Sequence, residues 1–386
     1  MANNYANLRS LKRSDPVASE RCAKRLLAMR KDLQTITRRK NDRSLLLATW
    51  NIRDFDSNKF RQGPRLPETF FYIAEIISCF DLVALQEVNR DLSALEKVMQ
   101  ILGRDWDYIT TDTTEGTGGN AERMAFVYNT DKVWFRKIAG EIVLPQGQLI
   151  VSPNKTQSAG EQDERPVDAA LASGLTEVRQ QFARTPFVVA FQSGWFKFNL
   201  CTVHIYFGED SGPGLQRRIN EIRALIRFIT DRQDKENKAI RNDPSRAENY
   251  ILLGDFNVVS PEHETMQALR AQGFEIPSAI DGDKVRTPDD HFYDQIAVRV
   301  AEPSFSVVTG GMVDMYKSVF RDTPGDRKIY QPMMPAADDT EAPGTQSLAA
   351  RFRRWRTWQM SDHRPLWIEI DTDYADHYLG NFASPQ

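Results

Sequence analysis

From residue 44 onward, short apolar runs alternate with longer stretches in which apolar residues recur at three- and four-residue steps. Several of the short runs are apolar at every position, which is typical of strands that are buried on both faces of a sheet. The longer stretches predict helices with one apolar stripe. This alternation predicts an α/β protein with the sheet inside and helices outside. The predicted strands are Ser44–Ile52, Leu82–Val88, Met124–Asn129, Phe187–Ala190, Phe198–Ile205, Tyr250–Asn257, Tyr293–Val300 and Arg364–Ile370, and the predicted helices are Glu68–Cys79, Leu92–Leu102, Leu215–Arg232 and Pro261–Ala271.

Residues 146–183 and 322–350 do not fit this alternation. The first segment is polar and poor in large apolar side chains, and the second holds Pro, Asp, Gly and Ala. Long loops inside compact domains are usually functional or mobile. We therefore predict a long excursion between strands at 146–183 and a second loop at 322–350.

Residues 1–43 differ from the rest of the chain. Ser14–Pro16 is a suitable helix start, because a capping side chain precedes a proline in the first turn. Apolar residues then recur on one stripe among many Lys and Arg residues, which predicts a basic helix. The residues of this stripe are Leu26, Met29, Leu33 and Ile36. We predict a basic amino-terminal helical extension that either packs on the main domain or contacts DNA, a protein partner or a second copy of the chain.

The overall charge neither supports nor excludes nucleic-acid binding, whereas the cysteines argue against some classes of protein. The formal net charge is −3, so any binding of nucleic acid needs a local basic surface together with bound metal. Cys22, Cys79 and Cys201 are far apart and form no CxxC pair, which argues against a disulfide framework and a cysteine-rich zinc site. The sequence has no secretory h-region and no run that is apolar for long enough to span a bilayer. A soluble cytoplasmic protein is the expectation.

Polar side chains stand where the apolar runs end. Since strand ends in an α/β sheet converge on a crevice along one edge of the sheet, we expect these side chains to meet. Each of them alone has an ordinary explanation as a turn or cap residue. Together they supply carboxylates, amides and two imidazoles, the groups that phosphoryl transfer requires. They are Asn51, Glu87, His204, Asp255 and Asn257, with Ser361–His363 standing just before the last apolar run.

The types of ligand in this set indicate the metal. Carboxylate and amide oxygens suit Mg²⁺, Mn²⁺ or Ca²⁺, whereas zinc sites usually use Cys or several His. Of the five histidines, His204 and His363 belong to the strand-end set. For His263 on a predicted surface helix, His377 in the tail and His291 near a strand start, a structural role is expected.

Seven sequence blocks carry a family resemblance. They are TWN (Thr49–Asn51), QEV (Gln86–Val88), ERMAFVYN (Glu122–Asn129), TVH (Thr202–His204), GDFN (Gly254–Asn257), YDQIAV (Tyr293–Val298) and SDH (Ser361–His363). In this order and spacing they resemble the endonuclease/exonuclease/phosphatase superfamily over residues 44–371. The resemblance implies a four-layer sandwich of two packed mixed β-sheets flanked by helices, and leaves residues 372–386 as a carboxy-terminal tail.

Within the superfamily the resemblance is strongest to deoxyribonuclease I. ERMAFVYN resembles the block in which a glutamate orients a catalytic histidine, and ARTPFVVAF (Ala183–Phe191) resembles a block whose arginine contacts substrate phosphate. The WCDRIL-type block of inositol polyphosphate phosphatases is absent from the sequence.

The resemblance also implies roles for single residues. Glu87, Asn51 and Asp362 would hold Mg²⁺, or Mn²⁺ or Ca²⁺ in its place, or the waters of that metal. Asp255 and Asn257 would bind the scissile phosphate or a second metal. His204 and His363 would be the acid/base pair, oriented by Glu122 and Asp294 respectively, and Arg184 would contact the phosphate.

Arg351–Trp358 interleaves four arginines with three aromatic residues just ahead of the SDH block. Such a segment can bind backbone phosphates and stack on bases, with Arg354 and Arg356 as candidate contacts. The alternative is a strand with one aromatic face in the core and its arginines in solvent.

The sequence as a whole predicts a nuclease that hydrolyses DNA to 5′-phosphate and 3′-hydroxyl ends. A second hypothesis keeps the chemistry and changes the substrate to a phospholipid such as sphingomyelin or to a small phosphorylated metabolite. A third is a catalytically inactive binding module, although every expected catalytic block holds chemically competent residues.

Overall fold

The structure is a computed structural model that describes residues 3–113, 122–153, 177–239, 247–282, 292–335 and 347–383. Its strands are β1 (Ser44–Phe55), β2 (Leu82–Asn89), β3 (Trp106–Thr110), β4 (Glu122–Asn129), β5 (Trp134–Glu141), β6 (Ile150–Pro153), β7 (Glu177–Gln180), β8 (Phe187–Ser193), β9 (Phe196–His204), β10 (Tyr250–Asp255), β11 (Asp294–Arg299), β12 (Val307–Met312) and β13 (Leu366–Asp371). Its helices are α1 (Leu8–Ser14), α2 (Pro16–Asp32), α3 (Gln34–Thr37), α4 (Pro67–Ile77), α5 (Ser93–Leu102), α6 (Gly212–Ala239), α7 (Glu264–Leu269), α8 (Pro324–Tyr330), α9 (Leu348–Gln359) and α10 (Ala375–Ala383).

The strands form two mixed sheets that pack against each other. One sheet has the order β12-β13-β1-β2-β4-β3 and the other has the order β11-β10-β9-β8-β5, while β6 and β7 form a separate pair. Leu47 and Phe126 of the first sheet share one core with Phe191, Leu200 and Leu252 of the second. A second core, on the other face of the first sheet, contains residues of α2, α4 and α5. The predicted sandwich of two mixed sheets flanked by helices is confirmed.

The strand directions bring the site residues to one edge. β1 runs parallel to β2, and β9 runs parallel to β10, so the carboxyl ends of each pair lie together. β4, β11 and β13 run antiparallel to their neighbours. An antiparallel strand begins where its neighbour ends, so these three strands begin at the edge where the parallel pairs finish.

All eight predicted strands are present, with small shifts at their ends. β3 and β5 were not predicted, because they lack a long apolar run: β5 is exposed along most of its length and β3 is only partly buried. The predicted helix start at Pro261 is wrong, since α7 begins at Glu264 and His263 caps it by accepting the Thr265 N–H.

The two segments predicted as loops contain regular structure. In the described part of 146–183, β6 pairs with β7. In the described part of 322–350, Thr323 caps α8 and Ser347 caps α9. A short amphipathic helix in a polar segment has too few apolar positions for its period to be recognised.

The amino-terminal helices pack on the main body. Leu26 and Met29 of α2 lie in the second core, as the apolar stripe predicts. The charges of the helix are also satisfied internally, because arginines of α2 pair with acids that are almost fully buried. These pairs are Arg21–Glu68 at 2.7 Å, Arg25–Asp326 at 2.5 Å and Arg30–Glu75 at 3.0 Å. Helix α2 thus packs on the main domain, which was one of the alternatives predicted for it. The domain boundary at residue 43 stays a prediction.

No helix in the described ranges is both long and apolar enough to cross a bilayer.

Candidate active site

Polar side chains from both sheets meet at the edge where the parallel strands end. Asp255, the last residue of β10, pairs in register with His204 of β9 on one side and with Asp294 of β11 on the other. Asn51 of β1 reaches across from the first sheet, and its Nδ2 donates a hydrogen bond to Asp255 Oδ2 at 3.1 Å. This bond joins the two sheets at the predicted site.

Glu87 lies on the first sheet beside Asn51. Its Oε1 accepts a hydrogen bond from Asn51 Nδ2 at 3.0 Å, and its Oε2 accepts one from the Asp54 N–H at 2.8 Å. Burial opposes ionisation of this carboxyl, but the nearby imidazole of His204 and these two donors lower the pKa of Glu87 to about 2. The Glu87 side chain is therefore an ionised carboxylate at physiological pH.

His204 is buried and faces three carboxylates. Its Nε2 lies 3.6 Å from Asp255 Oδ2 and 3.9 Å from Glu87 Oε1, and its Nδ1 lies 3.3 Å from Glu122 Oε2. Burial, with the neighbouring Arg184 guanidinium, lowers the pKa of His204 to about 4. The imidazole is neutral at pH 7, with one ring nitrogen directed at Asp255.

His363 approaches the same carboxylate from another direction. Its Nε2 lies 3.7 Å from Asp255 Oδ2, and its Nδ1 forms a 2.8 Å hydrogen bond with Asp294 Oδ2. Burial opposes a charged ring here as well, yet the Asp294 and Asp255 carboxylates raise the pKa of His363 well above its ordinary value. Two imidazoles whose pKa values are shifted in opposite directions thus face one oxygen atom of Asp255.

The backbone around Asp255 admits only a small residue. Gly254 has φ +133°, and a Cβ at this position would lie 2.2 Å from the Val203 carbonyl oxygen of β9. Asn257, at φ +51°, donates its Nδ2 hydrogen to the Ile205 carbonyl at 2.8 Å, and its N–H to Asp255 Oδ1 at 3.0 Å. Gly254 therefore allows the close approach of β10 to β9, and the Asn257 N–H holds Asp255 Oδ1 while Oδ2 faces the histidines.

Arg184 lies behind the cluster, in an ion pair with Glu122. Both side chains are buried. Burial lowers the pKa of Arg184, and the neighbouring Glu87, Asp255 and Glu221 carboxylates oppose that change. Glu122 thus lies beside both His204, as expected, and Arg184. The arginine also brings a positive charge into the site.

Glu221 of α6 is a buried carboxyl next to this arginine. Its Oε1 accepts the Ala183 N–H at 3.3 Å, and burial raises the pKa of Glu221 to about 7. Because this value is above the pKa of about 4.3 in an unfolded chain, the folded state binds a proton that the unfolded state has released. The stability that the neutral form contributes is therefore complete below about pH 4.3 and is lost as pH rises to about 7.

We expect Glu221→Gln to remove this pH dependence. The neutral amide imitates the protonated carboxyl, so the fall in the free energy of unfolding between pH 5 and pH 7.5 should be smaller than in the wild-type protein by about 2 kcal/mol. Urea titrations at the two pH values measure the difference. Glu264→Gln, at a largely exposed carboxyl on α7, is the matched control and should keep the wild-type slope. An unchanged slope in Glu221→Gln would contradict the raised pKa.

The donor set fits a hard divalent cation. A single amide nitrogen of Asn51 lies 3.0 Å from Glu87 Oε1 and 3.1 Å from Asp255 Oδ2, so two carboxylate oxygens converge on one positively polarised group. Glu87, Glu122 and His204 also place one ligand atom each within 4.8 Å of one another, but Glu122 already neutralises Arg184. Glu87 and Asp255 are therefore the better centre for an oxygen-liganded metal.

Not every predicted site residue joins the cluster in the same way. Asn51 Oδ1, the atom expected to bind metal, accepts the Arg53 N–H at 3.0 Å, so the amide nitrogen faces the carboxylates. Asp362 is partly exposed and pairs with Arg53 at 3.0 Å. Asn51 Oδ1 and the Asp362 carboxylate thus lie beside the proposed metal position, and each contacts Arg53.

The arginine-rich segment is a helix, so its interpretation as a strand is wrong. On α9, Phe352 and Trp355 are buried at a three-residue step, which is the spacing of a helix face. Arg356 donates to the Phe320 carbonyl at 3.2 Å and lies over the Tyr316 ring, whereas Arg354 is exposed. Arg356 thus has a packing role, and Arg354 stays a predicted phosphate contact.

The remaining histidines lie elsewhere. His263 caps α7, and His377 Nδ1 pairs with Ser304 Oγ at 2.7 Å on the surface. Both have the structural roles that were expected. His291 lies outside the described residues.

Sequence reasoning missed several residues that support the site. Gln86 of β2 donates to Thr49 Oγ1 at 3.0 Å and to Thr202 Oγ1 at 2.8 Å, which ties the two sheets together beneath the cluster. A buried amide inside an apolar run was the available signal, because such a group needs partners. Ser361 accepts the His363 N–H and donates to the Asn51 carbonyl at 2.6 Å, so the serine of the SDH block shapes the turn.

Comparisons with known proteins gave fold similarity alone. No family model matches the chain, and no curated protein matches it. Similar solved structures include an endonuclease/exonuclease/phosphatase family protein from Bacteroides thetaiotaomicron, with 19% identity over 86% of this chain and 100% of that chain and a TM-score of 0.46. Another is a mannosyl-6-phosphatase from B. thetaiotaomicron VPI-5482, with 18% identity over 85% and 99% and a TM-score of 0.46. A third is D. rerio TDP2 complexed with single strand DNA product, with 14% identity over 85% and 99% and a TM-score of 0.45.

Proposed function

We propose that the protein is a divalent-metal-dependent phosphodiesterase of the endonuclease/exonuclease/phosphatase superfamily that cleaves nucleic acid. Its preferred reaction is endonucleolytic hydrolysis of DNA to 5′-phosphate and 3′-hydroxyl ends. One observation carries the proposal: His204 Nε2 and His363 Nε2 lie 3.6 and 3.7 Å from the same oxygen of Asp255. Two proton-transfer groups around one anionic centre are what an in-line displacement at phosphorus needs.

The two histidines would carry the protons of the reaction. One accepts a proton from the attacking water, and the other delivers a proton to the leaving alkoxide; each such transfer contributes about 10²–10⁴-fold. Asp294 bonds to Nδ1 of His363 and Glu122 lies next to Nδ1 of His204, so in each case Nε2 is left to face the substrate.

The metal position follows from the carboxylates. Glu87 and Asp255, with Asn51 and Asp362 beside them, would hold Mg²⁺, or Mn²⁺ or Ca²⁺ in its place. When bound, the cation would offset negative charge on the phosphate and favour ionisation of a water.

The remaining groups would bind the phosphate. Arg184 brings a guanidinium beside Asp255 and Glu87, in surroundings where a fixed positive charge stabilises developing negative charge. Asn257 uses its amide nitrogen to bond the Ile205 carbonyl, which leaves its second amide hydrogen for a phosphate oxygen. Arg354 on α9 is a more distant candidate for the backbone of a polynucleotide.

A metal-dependent activity panel tests the proposal. Supercoiled plasmid, double-stranded DNA, single-stranded DNA, RNA, abasic DNA and sphingomyelin are each incubated with the purified full chain and Mg²⁺ or Mn²⁺. We expect nicking of the plasmid, and we expect EDTA to abolish it. Release of phosphocholine without nicking would support a phospholipase instead, and binding without turnover of any phosphodiester would support an inactive binding module.

A further inference from the structure

We propose that the exposed ring of Phe60, packed against Trp358, is a subsite on which an unpaired nucleobase stacks beside the cleaved phosphate. The inference rests on the nuclease function proposed above and adds a substrate contact to the same site. It assigns a role to the loop that follows β1 and to the carboxyl end of α9.

A short series of contacts joins this ring pair to the catalytic cluster. Arg53 lies two residues after Asn51 on β1, and its Nη1 lies 3.0 Å from Asp362 Oδ2, next to His363 in the chain. The same guanidinium lies over Trp358, with its central carbon 3.8 Å from the ring centroid. The aromatic pair is thus one arginine away from the SDH block, within reach of a nucleotide that flanks the bound phosphate.

The geometry of the pair suits a base. The Phe60 and Trp358 centroids are 4.7 Å apart, and 51% of Phe60 is exposed. Lys59 Nζ lies 5.1 Å from the Phe60 centroid and 3.8 Å from Asp54 Oδ1, and Arg53, which pairs with Asp362, lies at the tryptophan. An exposed aromatic ring offers stacking to a base, whatever the base sequence.

The loop that carries Phe60 is held firmly in an uncommon conformation. Arg65, near the end of the loop, is buried, and its guanidinium donates to backbone carbonyls at the end of β1 and at the end of α9. The acceptors are Ile52, Arg53, Asp54, Gln359 and Met360. One side chain thus ties the end of the loop to β1 and to the helix that carries Trp358.

Five non-glycine residues at the end of β1 and in this loop have positive φ. They are Arg53, Asp54, Asp56, Asn58 and Arg61, with φ between 43° and 70°. Strained backbone of this kind persists where the surrounding structure over-determines it, and it clusters at ligand sites. Unlike the large aromatic residues of the two cores, Phe60 points outward from this strained loop, so core packing does not account for it.

The ligand must be a base with a free face. In a duplex both faces of each base are already stacked on neighbours, so a base can reach Phe60 only in a single strand, at a frayed end or after extrusion. The Phe60 subsite therefore favours single-stranded or locally opened nucleic acid over intact duplex.

Phe60→Ala tests the subsite on two single-stranded oligonucleotides that differ only in the bases that flank the cleavage position. One oligonucleotide has normal bases there, and the other has abasic residues. On the normal strand we expect KM to rise about tenfold, which is a loss of about 1.4 kcal/mol of stacking, with little change in kcat. On the abasic strand the wild-type protein and the variant should behave alike.

Two further variants separate the loss of the aromatic ring from a change in the structure of the loop. Phe60→Trp should keep the wild-type KM, whereas Phe60→Leu should resemble Phe60→Ala, because leucine fills space and has no ring to stack. Trp195→Ala is the matched control: Trp195 is 49% exposed and also packs on one ring, Tyr378, at 5.3 Å. It should leave KM unchanged.

Binding without turnover separates failure of this inference from failure of the proposed function. A single strand that contains 2-aminopurine is titrated in Mg²⁺ with the full-length His204→Ala protein, in which cleavage should be slow, and stacking on Phe60 should quench its fluorescence in this protein and not in His204→Ala/Phe60→Ala. Cleavage of nucleic acid by the wild-type protein, with equal quenching in these two variants, would overturn the subsite alone. Quenching that depends on Phe60, with no cleavage of nucleic acid by the wild-type protein, would support the subsite and overturn the nuclease.

Discussion

Replacing His204 by alanine is expected to reduce the rate of metal-dependent plasmid nicking by about 10²–10⁴-fold. The side chain is buried, and its Nε2 is directed at Asp255 from 3.6 Å. Its loss removes one of the two proposed proton-transfer groups and leaves Asp255 and Glu87 in place. Nicking of supercoiled DNA under single-turnover conditions measures the change.

The control for this variant is His377→Ala, since His377 bonds only Ser304 at the surface among the described residues. It should cleave at the wild-type rate. Circular dichroism and urea titration of both variants establish that they are folded. A folded His204→Ala protein that nicks DNA as fast as His377→Ala would remove the imidazole pair from the mechanism.

Replacing Arg21 by alanine is expected to lower the free energy of unfolding by about 3–5 kcal/mol. Arg21 of α2 donates to both carboxylate oxygens of Glu68, at 2.7–3.1 Å, and the glutamate is almost fully buried in α4. Without the guanidinium, Glu68 keeps the Tyr330 hydroxyl at 2.7 Å as a hydrogen-bond donor. The negative charge of the buried Glu68 carboxylate then lacks the cation that Arg21 supplied. The loss is a large part of the roughly 5–15 kcal/mol that stabilises a folded domain.

Urea unfolding of two further variants isolates the cause. Lys24→Ala removes another cation of α2, but Lys24 and its partner Glu20 are both largely exposed, so no measurable change is expected. Adding Glu68→Gln to Arg21→Ala should recover part of the lost stability, because the buried charge is then gone. Equal effects of Arg21→Ala and Lys24→Ala would show that the Arg21–Glu68 ion pair does not stabilise the fold.

The parts of the fold that could be predicted are those that a periodic pattern records. The apolar run before Asn51 and the run before Asp255 predict buried strands because every position in them faces a core. β5 could not be found in this way, since its side chains are mostly exposed. The Arg351–Trp358 segment was ambiguous because its arginines and aromatic residues fit either a nucleic-acid-binding surface or a strand with its aromatic face in the core. Only the structure shows that it is a helix with Phe352 and Trp355 buried on one face.

The residues of the candidate site that the sequence predicts are those at the ends of the predicted strands. His204, Asp255 and Asp294 stand at ends of strands that the sequence reveals, and neighbouring strands place their ends together. Arg53 and Gln86 were not identified, because each acts through a partner that sequence spacing does not indicate: Asp362 for the first, and Thr202 for the second.

The amino-acid sequence alone specifies the set of chemical groups and the strands that present them, because hydrophobic periodicity and the order of strand ends are local properties of the chain. Which group each side chain meets became clear only from the packed molecule. Arg21 pairs with the buried Glu68, and Asp362 pairs with Arg53, and the residues around them in the chain indicate neither partner. Burial and charge pairing depend on surfaces brought together from distant parts of the chain, and no local pattern records the opposite surface.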